Sequence, residues 1–147
     1  MNIFESWSKV GFNNLRKAYL SHRQSVGMEE EIAAYLERGE KAFRAFKILW
    51  NEGLYEDALS RGYYSLIHLC FALLIKNNQD LPKTHSGLIA RLWQNKEKLG
   101  VDEDIIKQIT RIQALRESSD YRVVPVIRED DLKAISEIFE KLMEVLR

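Results

Sequence analysis

Arg116 stands where a buried helical stripe should carry another isoleucine. Ile105, Ile109, Ile112 and Arg116 recur at helical spacing, so the guanidinium points where the apolar side chains point. A charge on a core-facing stripe needs a partner or a task. Asp120, four residues on, offers an i,i+4 ion pair, and Tyr121 closes the same stretch. A second arginine, Arg61, interrupts an otherwise apolar helix in the segment Arg61-Gly62-Tyr63-Tyr64, with His68 two turns further along. Two readings stay open. In one, Arg116 and Asp120, joined by Arg61, form an internal ion pair that fixes helix ends. In the other, the arginines hold phosphate, which a guanidinium matches bidentately, and the tyrosines support a nucleotide base. Both hold together if Asp120 orients the arginine that binds.

Other chemistries find little footing. Three well-separated histidines and the single Cys70 give no metal-ligand spacing, so no metal or cofactor is expected. The seven glycines are scattered and form no P-loop or dinucleotide fingerprint. Cys70 sits between Leu69 and Phe71 and reads as an inert buried thiol. His68 alone reads as a half-buried structural histidine. Set opposite Arg116 it would be a proton shuttle near neutral pH. His85 follows Thr84 at a helix start, where packing is the default role, although Lys83-Thr84-His85-Ser86-Gly87 also offers free N–H groups to an anion.

The elements that position these residues are helical almost throughout. Phe4, Trp7, Gly11, Leu15 and Tyr19 form a stripe on a first helix, and Gly27 ends that arm. Ile32, Leu36, Phe43, Phe46 and Trp50 line a second, stopped by Asn51-Glu52-Gly53. A third runs from about Tyr55 to Lys76. Thr84 caps a short helix ended by Gly100, and Asp102 or Asp104 starts the Ile105–Ile112 helix. Val123-Val124-Pro125-Val126-Ile127 reads as an extended connector. Asp130 or Asp131 starts a last helix with Leu132, Ile135, Phe139, Leu142 and Leu146 facing inward. The fold class is therefore all-α: an up-and-down bundle of four long helices and a short one (residues 29–147), preceded by an N-terminal helical arm (residues 1–28).

The 147 residues carry 46% hydrophobic and 30% charged residues at zero formal net charge, which suits one domain and excludes bulk nucleic-acid-binding composition. The charge is uneven: Lys9, Arg16, Lys17 and Arg23 face only Glu5 in the arm, so that arm could touch RNA or a partner. One cysteine, no signal pattern and a longest unbroken apolar run of only Leu69 to Ile75 point to a cytoplasmic protein without a membrane span. The Tyr55–Lys76 helix is apolar nearly all round, which calls for a central position or for sharing with a second copy, and a homodimer is expected.

Three segments together resemble the HEPN family of small helical domains. They are Gly53 to Ser65, Lys83 to Leu88, and Arg116-Glu117-Ser118-Ser119-Asp120-Tyr121. The likeness spans about residues 30–146, outside the arm. It implies a four- or five-helix bundle, usually dimeric, that works with a separate minimal nucleotidyltransferase in a system similar to a toxin–antitoxin pair. It also implies a metal-independent ribonuclease motif, an arginine followed after four to six residues by histidine. Arg116 matches the arginine, but Tyr121, Arg122 and Val123 occupy the histidine's places. The sequence instead suits the stand-alone branch with an Arg-x-x-x-Asp-Tyr ending. The leading expectation is a non-enzymatic module that binds a nucleotide or RNA. Arg61 and Arg116 would hold phosphate, Tyr64 and Tyr121 would support the ligand, His68 would line the site and Asp120 would orient Arg116. The alternatives are a ribonuclease toxin with Arg116 and His68 as its working pair, and a purely structural dimeric partner.

Overall fold

The helix ends follow from local chemistry, and the computed structural model shows each of them in atomic detail. It describes residues 27–121 and 126–147, with Tyr121 by its backbone alone. The arm's stripe from Phe4 to Tyr19, the Val123–Pro125 part of the connector and the Tyr121 side chain lie outside the described residues. Five helices are described: α1 (Met28–Asn51), α2 (Tyr55–Lys76), α3 (His85–Leu99), α4 (Glu103–Tyr121) and α5 (Glu129–Leu146).

Gly53 takes a φ of 77° after α1. Its N–H bonds to Trp50 O, and Leu54 N–H bonds to Leu49 O, the paired closure that satisfies the last carbonyls of a helix. Gly100 repeats the device after α3, with a φ of 73°. Thr84 caps α3 by accepting from Gly87 N–H at 3.0 Å, and Asp102 caps α4 by accepting from Ile105 N–H at 2.9 Å. The start of α5 differs from the sequence expectation. Arg128 is the cap position and Asp131 lies inside the first turn, buried, accepting from Arg128 N–H at 2.9 Å. Asp131 also takes an ion pair from Arg111 of α4 at 2.5 Å, so its buried carboxylate has both a charge partner and a backbone donor.

The helices are held at close range where side chains are small. Gly39 of α1 lies against Leu69 and the Ser65 carbonyl, and Gly62 of α2 lies against Phe46 and Ile135. Those pairings run α1 antiparallel to α2, and the Gly62–Ile135 approach, with Lys76 Nζ donating to Leu146 O at 3.1 Å, runs α5 parallel to α2. Helix α2 packs on α1, α5 and α4. It is the bundle's central element, so a single chain covers most of its apolar surface, and its apolarity no longer calls for a second copy. By length and mean hydropathy, 1.4, it could cross a bilayer, yet 67% of that window is buried within the bundle. The strip of α2 left open runs through Asp57, Arg61 and Tyr64.

Candidate functional site

Ile105, Ile109 and Ile112 are buried, and Arg116 continues their stripe to the rim of the bundle, where it is half-buried. There it meets α2. Arg116 Nε donates to Ser60 Oγ at 3.1 Å, and Nη2 donates to the Tyr64 hydroxyl at 2.9 Å. Its Cζ stands 5.4 Å from the Tyr63 ring centre and 5.0 Å from that of Tyr64. Those rings lie side by side, 5.7 Å apart. The guanidinium is thus fixed by two hydrogen bonds and two ring contacts, with its remaining N–H groups left to another acceptor.

Below Tyr63 the network continues into α3. The Tyr63 hydroxyl and His85 Nδ1 share a hydrogen bond of 2.6 Å, and His85 Nε2 is buried with no hydrogen-bond partner. Burial pushes the Tyr63 pKa up to about 12, against the pull of the Arg116 charge. Burial likewise lowers the His85 pKa, with the Glu117 charge opposing it. Protonation would place a charge on a ring whose far nitrogen has no partner.

On its other side Tyr64 faces a groove between α1 and α2. Two adjoining cavities make up the groove. One, of about 440 Å³, is lined by Leu49, Asp57, Ser60, Arg61 and Tyr64. The other, of about 580 Å³, is lined by Arg38, Lys41, Ala42, Ala45, Arg61, Tyr64 and His68. Arg61 and Tyr64 belong to both. His68 lies at the far end, stacked on Tyr35 with ring centres 6.0 Å apart. Its pKa is lowered by burial and by the Arg38 charge.

Tyr64 therefore links the two arginine positions: it accepts from Arg116 and lines the same groove as Arg61. The structure places His68 at the edge of the same groove but in no contact with Arg116. Asp120 is exposed and makes no hydrogen bond or ion pair with Arg116; Ser60 and Tyr64 orient the arginine instead. Sequence reasoning passed over Ser60, Arg38 and Lys41, and gave His85 only a packing role at the start of its helix. Ser60 was legible in principle, since it precedes Tyr64 by four residues on one helix face, and Arg38 and Lys41 share a face of α1 at i,i+3 spacing. The contact of His85 with Tyr63 joins separate helices and left no mark in local periodicity. Cys70 is fully buried, and burial pushes its thiol pKa up to about 12, which keeps it a packing residue. Among the described residues no cluster of His, Cys, Asp or Glu could hold a metal ion.

The HEPN domain model matches residues 32–147, all but the N-terminal arm and the first residues of α1. A UPF0332 protein of Archaeoglobus fulgidus is 33% identical over 101 residues, covering 69% of this chain and 80% of the relative. A Methanocaldococcus jannaschii protein named as a candidate toxin is 36% identical over 121 residues, covering 82% of this chain and 87% of the relative. A second protein of that organism, also named as a candidate toxin, is 28% identical over 104 residues, or 70% of each chain.

Proposed function

The chain belongs to the HEPN domain family, and from that premise we propose that it is a toxin-like HEPN module that binds a phosphate-bearing ligand, a nucleotide or RNA. Arg61 and Arg116 hold the phosphate and Tyr64 supports the ligand between them. The names of the Methanocaldococcus jannaschii relatives support the toxin-like character. The observation that carries the binding role is the mooring of Arg116 on Ser60 and Tyr64 beside a groove that also presents Arg38, Lys41 and Arg61. Among the described residues, Arg61 and Lys41 have no carboxylate partner. An arginine already oriented by neutral hydroxyls keeps its full charge for an anion, whereas one paired with Asp120 would not.

In this reading the module is a cytoplasmic homodimer that works with a separate minimal nucleotidyltransferase, and Tyr121 completes the ligand's surroundings. Calorimetry with nucleoside triphosphates and short RNAs tests the binding role. Heat with the wild type that disappears in Arg116→Ala is the expected result. No heat and no thermal shift with any of these ligands would overturn it. Sedimentation at micromolar concentration tests the dimer, and co-purification with a nucleotidyltransferase tests the partnership.

The ribonuclease alternative has less support. His68 is engaged with Tyr35 rather than with Arg116, and His85 reaches the arginine only through Tyr63. The purely structural alternative needs a staple between Arg116 and Asp120. The contacts of Arg116 instead cross to α2.

A further inference from the structure

We infer that the groove between α1 and α2 is a docking surface for an acidic, amphipathic helix of a partner protein. Its lining alternates two kinds of contact. Arg38, Lys41 and Arg61 supply three cations against the single carboxylate of Asp57, and His68, its pKa lowered, adds no charge at neutral pH. The rest is small or apolar: Ala42 and Ala45 form the α1 side of the floor, and Leu49 closes one end. Of the large apolar side chains that stay exposed in the described residues, Tyr64 lines the groove, and Ile48 and Leu54 are close in sequence to Leu49 at its end. Ile48 is 58% exposed, Leu54 48% and Tyr64 42%. Ile48 follows Lys41 by seven residues and so shares its helical stripe.

The dimensions suit a helix. From Arg38 to Leu49 the groove follows eleven residues of α1, a length of about 16 Å or three helical turns. Alanines at i and i+3 leave space for a third helix to sit low between α1 and α2, its apolar side chains against Ala42, Ala45 and Leu49. Carboxylates on its flanks then meet Lys41 and Arg38 on one side and Arg61 on the other. A single nucleic-acid strand fits less well. It needs a succession of free flat rings on which bases stack, and both rings that line the α2 wall are already engaged, Tyr64 by Arg116 on one side and His68 by Tyr35. The N-terminal arm of this chain, with four cations against one carboxylate, has the wrong charge. The surface shares Arg61 and Tyr64 with the phosphate-binding face but stands without it. A helix seated there covers both residues, so the partner would close that face.

The test uses the full chain and a labelled synthetic helical peptide of about four turns, with leucines on one face and glutamates flanking them. A scrambled peptide of the same composition and an oligouridylate serve as the other probes. The expected result is binding of the amphipathic peptide, weakened about tenfold or more by scrambling, by Lys41→Glu with Arg61→Glu, and by Ala45→Trp, which fills the floor without removing a charge. Circular dichroism confirms that each variant is folded, and Ala42→Trp repeats the steric test should Ala45→Trp unfold. Equal binding of the scrambled peptide would overturn the proposal, because charge alone would then suffice. So would peptide binding unaffected by both tryptophan variants, capture of the oligouridylate alone, or a protein dimer whose two copies bury this groove. Peptide binding without any heat from triphosphates or RNA would leave the docking surface standing and remove the phosphate-binding role.

Discussion

The Tyr63 hydroxyl lies 2.6 Å from Nδ1 of His85, tying α2 to the first residue of α3 directly beneath Arg116. The bond is made with a neutral imidazole. Burial holds the His85 pKa below its ordinary value, as it does for His68. In the unfolded chain both histidines take up protons near pH 6.5. Below that value the unfolded state binds more protons than the folded one, and stability falls as pH falls. The contribution is fully present above about pH 6.5 and is lost progressively on acidification. Denaturant titrations at a series of pH values should show this limb, and a double variant His68→Asn with His85→Asn should flatten it. A limb of unchanged size in the variant would place the effect elsewhere.

A second acid limb belongs to Glu129. Its carboxylate accepts from Trp50 Nε1 at 2.9 Å and from the Tyr55 hydroxyl, joining the end of α1, the start of α2 and the start of α5. Those bonds favour the charged carboxylate, so they lower its pKa and raise that of Tyr55. The sign is the same as for the histidines but the window is lower. The contribution is intact above the ordinary carboxylate value, roughly pH 4.3, and is lost as pH falls through the depressed value. Glu129→Gln should remove this limb and leave the one near pH 6.5 in place. If both limbs move together in that variant, the two clusters are coupled.

Gly62→Ala should destabilise the bundle by about 1–3 kcal/mol, the usual cost of forcing atoms into a packed core. A β-carbon there would come within 2.8 Å of Ile135 Cγ2 and 2.9 Å of Phe46 Cδ1, where α1, α2 and α5 converge. The better helix propensity of alanine offsets only about 1 kcal/mol. Gly39→Ala makes one contact under 3.0 Å, with Leu69 Cδ2 at 2.9 Å, and a looser one with the Ser65 carbonyl at 3.3 Å, and should cost less because fewer atoms have to shift. Thermal denaturation of the two variants checks the order. Equal or reversed losses would show that the three-helix junction yields more readily than its distances imply.

The helices were readable because their ends are written in local chemistry. Gly53, Thr84, Gly100 and Asp102 each act within five residues of their own position, and all four are seen to do so. Arg116 was readable as an anomaly, since a charge in an isoleucine stripe breaks a period. Its partner was not. Asp120 is the nearest carboxylate along the helix, but an i,i+4 pair on an exposed turn contributes only about 0.2–0.5 kcal/mol. Bending the guanidinium across to Ser60 and Tyr64 adds two hydrogen bonds and the faces of two rings. That choice depends on how α4 crosses α2, a relation fifty residues apart in the chain. The same holds for the groove, whose cations come from both walls, Arg38 and Lys41 from α1 and Arg61 from α2. The central position of α2 was one of two options that its all-round apolarity left open, and it takes the packing of α1, α4 and α5 around the helix to show that one chain covers most of that surface.

Arg116→Lys isolates what that mooring contributes. Lysine keeps the charge but cannot donate from a planar fork to Ser60, Tyr64 and a phosphate at once. Because the site is only half-buried, water replaces much of what is lost, and stability should change by no more than about 1 kcal/mol. Affinity for a triphosphate or short RNA should fall about tenfold, as lost bidentate geometry is not restored by charge. The double variant Ser60→Ala with Tyr64→Phe keeps the arginine and the ring contact but removes both hydrogen bonds. It should lose affinity through a less ordered guanidinium, with a smaller effect than Arg116→Ala. Calorimetry and thermal denaturation on the three variants separate the contributions. Full affinity in the double variant would mean that Arg116 binds its ligand by charge alone and that Ser60 and Tyr64 do not orient it for that purpose.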